Sequence, residues 1–148
     1  MLVFLLFSLI IIVHCDNSAD IRTKAQTLLD ELFSTRETSE LLSKFYYNAR
    51  FNINGEQLDK NAFIEKYLLA SKTKPILGNV ALEKREEFKD GMINKLSGLP
   101  NGEMVTNEYF IMIWSWAEFG GDMTIDAREF ADTNGLMITS VTMQTGSG

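Results

Sequence analysis

The sequence predicts an α+β domain in which three helices come first and the strands of an antiparallel sheet follow. Three observations predict this fold class. Apolar residues recur at helical spacing over the first part of the domain, an Asn-Gly pair interrupts a short alternating stretch, and turn residues divide the remainder into strand-like segments. Helices followed by strands pack on one face of a sheet. We therefore expect three helices on a curved antiparallel sheet, with a short hairpin between the second and third helices.

The first fifteen residues have the composition of a signal peptide. Leu2–Val13 is apolar apart from Ser8, and a run of about a dozen residues suits the signal core but not a membrane span of roughly 20. Small residues at Val13 and Cys15 predict cleavage before Asp16. We expect residues 1–15 to be removed, residues 16–148 to form one secreted domain, and no stable membrane insertion after cleavage. The alternatives are an amino-terminal membrane anchor and a buried strand.

The predicted cleavage limits the chemistry of the mature chain. His14 and Cys15 are the only histidine and cysteine, so no disulfide, thiol nucleophile or imidazole base would remain. We predict no metal and no cofactor. The net charge is −6 and no basic stripe is present, which argues against a nucleic-acid partner. The densest charge cluster, Glu83–Glu87, mixes signs and is interpreted as a solvated strand face.

The helical part begins directly after the predicted cleavage site. An amphipathic helix is predicted over Ala19–Phe33 from apolar residues at three- and four-residue steps, namely Ile21, Ala25, Leu28, Leu29, Leu32 and Phe33. Ser34 and Glu37 have the spacing of a capping box. They predict a second helix that runs to about Phe45, with Leu41, Leu42 and Phe45 on its apolar face.

A hairpin and a third helix are predicted next. Tyr47–Ile53 alternates like a strand, and Asn54-Gly55 is the pair that a type I′ turn favours. The chain should fold back through Glu56–Leu58. Asp59 then resembles the N-cap of a third helix that ends near Ser71. Its buried face should hold Phe63, Ile64, Tyr67 and Leu68.

The rest of the chain is predicted to form strands divided by turns. Breaks are expected at residues 90–91, 100–102, 120–121 and 134–135. The long strand segments between them are Ile76–Lys89, Glu103–Glu118, Asp122–Ala131 and Leu136–Gln144. Met92–Ser97 is either a further short strand or a loop.

This order of elements resembles the nuclear transport factor 2-like superfamily, a group that includes SnoaL-like and cystatin-like cone folds. The stretch Phe51–Tyr67, with its short strand, Gly turn and polar-capped aromatic helix, carries the resemblance best. The resemblance implies a cone-shaped half-barrel, a strongly bent sheet around a long helix with an apolar cavity at one end. The superfamily includes isomerases, dehydratases, hydrolases, transport adaptors and binding or dimerisation modules, so the fold alone does not specify function.

Apolar side chains on two consecutive predicted strands, together with Tyr67 of the predicted third helix, are the candidate ligand-binding residues. Large apolar and sulfur-containing side chains could form the wall of an apolar pocket. The alternatives are ordinary core beneath the first helix and the interface of a face-to-face dimer. The candidate residues are Phe110, Met112, Trp114, Trp116, Met123, Ile125 and Tyr67.

The favoured function is a non-enzymatic secreted binding module. It would hold a small apolar ligand in the cone, or a protein partner or second copy on the sheet. The alternative is a dehydratase or isomerase that acts on an apolar substrate through Asp and Tyr. No catalytic residue is assigned; the candidate carboxylates are Glu108, Asp126 and Glu129, and the candidate phenols are Tyr46, Tyr47, Tyr67 and Tyr109. A cystatin-like protease inhibitor is a third possibility, but the chain lacks the Gln-x-Val-x-Gly motif.

Overall fold

Three helical segments and six strands make up the computed structural model, which describes residues 19–88, 103–130 and 135–144. Chain order is as follows: helix α1 over residues 19–34, helix α2 Thr38–Leu42, strand β1 Phe45–Ile53, strand β2 Glu56–Leu58, helix α3 Lys60–Phe63 with a π-helical continuation Ile64–Leu69, strand β3 Ile76–Phe88, strand β4 Met104–Trp116, a 3₁₀ turn Ala117–Phe119, strand β5 Gly121–Glu129 and strand β6 Leu136–Met143. The chain is thus an α+β protein.

Helix α1 forms where its apolar stripe predicts it and packs on the sheet. Its buried residues are Ala25, Leu28, Leu29 and Leu32. At one end, the guanidinium of Arg22 donates hydrogen bonds to the carbonyls of Leu77 (3.0 Å) and Gly78 (2.7 Å). These bonds fasten α1 to β3 without requiring a particular side chain on that strand.

The second helix is shorter than predicted, and the capping-box prediction is wrong. Helix α1 continues through Ser34, whose hydroxyl donates to the Glu31 carbonyl (3.1 Å) and therefore caps nothing downstream. Helix α2 has Glu37 at its N-cap without a side-chain hydrogen bond. Phe45 does not extend the helix; it starts β1 with its side chain 2 % exposed. A core-facing position in a strand buries the apolar side chain of Phe45 as effectively as the apolar face of the predicted helix would.

The hairpin and the N-cap of the third helix are confirmed. Asn54 and Gly55 both have positive φ, 55° and 83°, as a type I′ turn requires, and β1 pairs antiparallel with β2. The Asp59 carboxylate accepts a hydrogen bond from the Ala62 N–H at 2.7 Å. Beyond Phe63 the helix widens into π-helical turns and ends at Leu69.

The six strands form one open sheet in the order β2-β1-β6-β5-β4-β3. The pairings β3–β4, β4–β5, β5–β6 and β1–β2 are antiparallel, but β1 and β6 run parallel. The predicted sheet was entirely antiparallel, so this pairing corrects it. A parallel contact joins strands distant in the chain, and local alternation carries no signal for it.

One face of the sheet, together with the helices, forms the core. Phe33 of α1 makes edge contacts with the rings of Trp114 (6.1 Å between centroids) and Trp116 (5.4 Å). The Trp116 indole N–H donates to the carbonyl and hydroxyl of Thr73, both at 3.2 Å. Glu118 accepts hydrogen bonds from the backbone N–H groups of residues 72 and 73. The loop before β3 is therefore tied to the end of β4.

Several predictions concern residues that the structure does not describe. The signal peptide over residues 1–15, the Met92–Ser97 segment and the turns near residues 90–91 and 100–102 lie outside the described ranges. The four long strands are confirmed within them, with ends shifted by one or two residues.

Replacing Asp59 by Ala should lower the free energy of unfolding by about 1 kcal/mol, because the Ala62 N–H loses its capping acceptor. Urea denaturation followed by circular dichroism measures the change. Asp122→Ala, at an exposed carboxylate on β5, is the matched control and should change stability by less than about 0.5 kcal/mol. Equal effects of the two substitutions would contradict the capping role.

Candidate functional site

A polar cavity of about 390 Å³ lies on the face of the sheet opposite the helices. Strand alternation defines this outer face: along β4 and β5, Phe110 and Ile125 point to the core, whereas Tyr109 and Asp126 point away from it. Five strands contribute lining side chains. We call the cavity the outer-face pocket; its residues are Tyr46, Asn48, Arg50, Arg85, Glu87, Tyr109, Asp126, Arg128, Thr139 and Ser140.

Two irregularities in strand pairing shape the pocket. Between β5 and β6, Asp126 pairs with Ser140 while Ala127 pairs with Ile138, so Thr139 is an extra residue. This bulge lets consecutive residues 139 and 140 both line the pocket, and the Thr139 hydroxyl donates to the Asp126 carbonyl (3.1 Å). The pairing of β1 with β6 is also irregular, between Phe45 and Arg50. Bulges re-aim side chains in this way and often border functional sites.

Arg85 pairs with one carboxylate inside the pocket, Asp126, and with one outside it, Glu83. One guanidinium nitrogen lies 3.0 Å from Asp126 Oδ2 and the other lies 2.9 Å from Glu83 Oε2. The hydrogen bond to Glu83 and then the contacts with Asp126 raise the pKa of Arg85. The Asp126 side chain is 16 % exposed, so its charge is partly withdrawn from water and depends on Arg85 for compensation.

Tyr109 is the buried hydrogen-bond donor of the pocket. Its side chain is 7 % exposed, and its hydroxyl donates to Glu87 Oε2 at 2.7 Å. Asn107 donates to the same oxygen at 3.0 Å. Burial, reinforced by Glu87, raises the pKa of Tyr109 to about 12, although Arg128 acts in the opposite direction. The phenol therefore stays protonated at neutral pH.

Arginines and aromatic rings alternate across the outer face. The Arg85 guanidinium on β3 lies 4.5 Å from the Tyr109 ring centroid on β4. The Arg128 guanidinium on β5 lies 5.8 Å from the same centroid. Arg128 also covers the Phe130 ring at 4.2 Å, and Phe130 stacks on Tyr46 at 4.7 Å and 7° between planes. Cation–π contacts of this kind hold the guanidinium planes in place, and the N–H groups of Arg85 donate to Asp126 and Glu83.

The seven predicted ligand-binding residues lie together on the other side of the sheet, in the core. Each is at most 5 % exposed, and Phe110 alone of the seven borders the shallow cleft beside α1 and β3. The Trp114 indole N–H has no hydrogen-bond partner among the described residues. Whether Phe110, Met112, Trp114, Trp116, Met123, Ile125 and Tyr67 bind a ligand remains a prediction.

The candidate carboxylates and phenols divide between the two faces. Glu129 pairs with Lys24 of α1 at 2.9 Å, and Glu108 borders the same helix-side cleft. Asp126 lies in the outer-face pocket, as do Tyr46 and Tyr109. Tyr67 is buried in the core and Tyr47 is 71 % exposed. The Tyr109 hydroxyl donates to Glu87 at 2.7 Å, a carboxylate that was not among the candidates predicted from the sequence.

The arginines of the pocket were not among the candidate residues predicted from the sequence. Arg85 and Glu87 lie in the cluster interpreted as a solvated strand face, yet both are partly buried and line the cavity. That interpretation holds for Lys84 and Glu86, which are exposed on the opposite side of β3. Alternation within Glu83–Glu87 was the available signal, because it assigns residues 83, 85 and 87 to one face.

Neither a metal site nor a membrane-spanning helix is found in the described ranges. No group of three or more His, Cys, Asp or Glu side chains there could hold a metal ion. Over the same residues, no helix combines the length and apolar composition needed to cross a bilayer. Comparison with known proteins found no matching family model, no similar curated protein and no similar solved structure.

Tyr109 should make stability depend on pH in alkaline solution. Its pKa is about 10 in the unfolded chain and about 12 in the fold, so its contribution is complete below pH 10 and is lost as pH rises towards 12. Urea denaturation of the wild type and Tyr109→Phe at several pH values measures this. The difference in unfolding free energy should shift over that window in favour of Tyr109→Phe. A constant difference would contradict the raised pKa.

Proposed function

We propose that this protein is a secreted, non-enzymatic binding module of the nuclear transport factor 2-like superfamily, and that its ligand is a small polar molecule held in the outer-face pocket. The observation that carries the proposal is a cavity of about 390 Å³ whose walls come from five strands. This volume lies in the range of small-molecule sites. The strands are rigid supports, and contacts within the pocket already orient Arg85, Tyr109 and Arg128.

The superfamily assignment is supported by element order. Two helices, an Asn-Gly hairpin, a third helix and four antiparallel strands follow one another, and α1 packs across the face that a cone would enclose. In this proposal the sheet bends around α1 as a half-barrel, aided by the bulges on β1, β3 and β6. The secretion proposal rests on the apolar leader over residues 1–15.

A ligand in the interior of the cone is a weaker proposal. The side chains that would contact it are packed against α1 and against each other, for example Trp114 and Trp116 against Phe33. An apolar ligand would have to displace these contacts, which are worth several kilocalories per mole for a large aromatic side chain. The outer-face pocket requires no such displacement.

An enzyme of the same fold is the second candidate. The hydrogen bond from Tyr109 to Glu87 supplies a phenol and a carboxylate in one cavity, which a dehydratase or isomerase would need. Proton abstraction from an apolar substrate favours a water-excluded carboxylate. Glu87 instead lies on edge strand β3 and is half-buried. The pair therefore suits ligand recognition better than proton transfer.

Native mass spectrometry of the protein secreted by a eukaryotic host tests the proposal. The full chain is expressed, the medium is collected, and native and denatured masses are compared. We expect a mature chain that starts at Asp16 and carries a small molecule. Ser140→Tyr, which fills the pocket from β6, should remove the small molecule. Thr142→Tyr, two residues along the same strand face and outside the pocket, should retain it.

Each alternative result has a definite meaning. If the small molecule still binds to the Ser140→Tyr variant, its binding site lies in the interior or elsewhere, outside the outer-face pocket. If the protein is instead a dimer without a small molecule, the outer face binds a second copy of the chain. A chain that stays in the cell with Met1 in place would contradict secretion.

A further inference from the structure

Three of the five arginines of the chain line the outer-face pocket. The other two donate hydrogen bonds to backbone carbonyls. Arg22 donates to carbonyls of β3, and Arg36 donates to those of Leu68 and Leu69 at the end of the π-helical continuation of α3. No lysine is among the described residues that line the pocket, although the chain has nine. The five arginines are Arg22, Arg36, Arg50, Arg85 and Arg128.

Positive and negative side chains balance in and around the pocket. Three guanidinium groups line it together with two carboxylates, Asp126 and Glu87, and a third carboxylate, Glu83, pairs with Arg85. Arg85 neutralises Asp126, and Glu87 receives hydrogen bonds from Tyr109 and Asn107. The carboxylates are thus engaged by neighbours, which reduces their repulsion of an anion.

Arg50 differs from the other two arginines of the pocket. Arg85 is engaged by Asp126 and Glu83, and Arg128 packs on aromatic rings. Arg50 is exposed and enters no ion pair in the described part of the chain. It pairs across the parallel β1–β6 ladder with Ser140, and Asn48, two residues earlier on β1, also lines the pocket. A guanidinium that enters no ion pair in the described part of the chain therefore shares the lining with a hydroxyl and an amide.

From this arrangement we infer that the ligand of the outer-face pocket is a small aromatic carboxylate, with its carboxylate on Arg50 beside Ser140 and Asn48. This inference rests on the proposed function. A guanidinium binds a planar carboxylate through two parallel hydrogen bonds. The single positive charge of Arg50, the one pocket arginine that enters neither an ion pair nor a ring contact in the described residues, matches a monoanion, whereas a phosphate monoester carries about −1.5 to −2 and would face Asp126 and Glu87 as well.

The rest of the pocket selects the body of the ligand. Tyr46 and Tyr109 line the cavity and can contact the edge of a planar group, and the other lining side chains are polar. A long acyl chain would find no apolar channel there. An aromatic ring of benzoate size is small relative to a cavity of about 390 Å³, so substituents that hydrogen-bond to the far end are compatible.

Isothermal titration at neutral pH with benzoate, its neutral isostere benzamide and inorganic phosphate tests the inference on the mature protein. Benzoate should bind about tenfold or more tightly than benzamide, as expected for one charge-assisted contact, and phosphate should bind more weakly than benzoate. Raising the ionic strength should weaken benzoate binding, because the contact is partly exposed.

Substitution of Arg50 provides the decisive comparison. Arg50→Gln should abolish the preference for benzoate over benzamide, and Arg50→Lys should retain only part of it because the fork geometry is lost. Lys84→Gln removes the same charge from an exposed position on the opposite side of β3 and should retain the full preference. Arg50 is exposed, and an unchanged thermal midpoint in each variant verifies folding.

Two kinds of negative result separate this inference from the proposed function. Equal binding of benzoate and benzamide, tighter binding of phosphate, no benzoate binding at millimolar concentration, or an unchanged preference in Arg50→Gln would each overturn the inference. If the secreted protein nevertheless carries a small molecule that Ser140→Tyr removes, the proposed function stands. Loss of that sensitivity overturns the proposed function itself.

Discussion

Strict alternation of side chains along β4 and β5 is the constraint on which the rest of the structure depends. Phe110, Met112 and Trp114 face α1, whereas Tyr109 and Asp126 face away from it. A slip of one residue in the pairing would exchange these sets. It would expose two tryptophans and bury a carboxylate without Arg85. The same strand register therefore produces both the apolar core and the polar pocket. Each of them stabilises this register relative to a pairing shifted by one residue.

The outer face illustrates how an exposed sheet surface can become a site. Polar side chains on a solvated face are usually free to move and contribute little. Here Arg85 bridges Glu83 and Asp126 and covers Tyr109, and Arg128 continues the series to Phe130 and the ring of Tyr46. The Thr139 bulge adds a second residue of β6 to the same surface. Fixed side chains lose less conformational entropy when a ligand binds, so this arrangement favours recognition.

Local sequence patterns predicted the elements better than their connections. The apolar stripe of α1, the Asn54-Gly55 turn and the Asp59 cap are local signals with direct physical causes, and all three are confirmed. The capping box predicted at Ser34 is wrong because the same spacing also occurs inside a helix, where the hydroxyl donates to a carbonyl of the preceding turn. The parallel pairing of β1 with β6 joins segments more than eighty residues apart, and no local periodicity encodes such a contact.

The site was harder to predict than the fold because its residues belong to five strands. Asp126, Tyr46 and Tyr109 were among the candidate residues, but their convergence with Arg50 and Arg85 depends on strand order and on the bulges. Large aromatic residues drew attention to β4, where they belong to the core. The arginines within the predicted strands were the more informative signal. Half-buried guanidinium groups, such as those of Arg85 and Arg128, need specific partners.

The central claim is that ligands bind on the outer face of the sheet and not between the sheet and α1. A nuclear magnetic resonance titration of the protein with benzoate tests this claim most directly, because each side of the sheet has its own reporters. The backbone amides of Arg50 and Ser140 report on the outer face, and the indole N–H groups of Trp114 and Trp116 report on the interior. We predict progressive shifts of the two amides with unchanged indole signals. Shifts of the indole signals with unchanged outer-face amides would contradict the account.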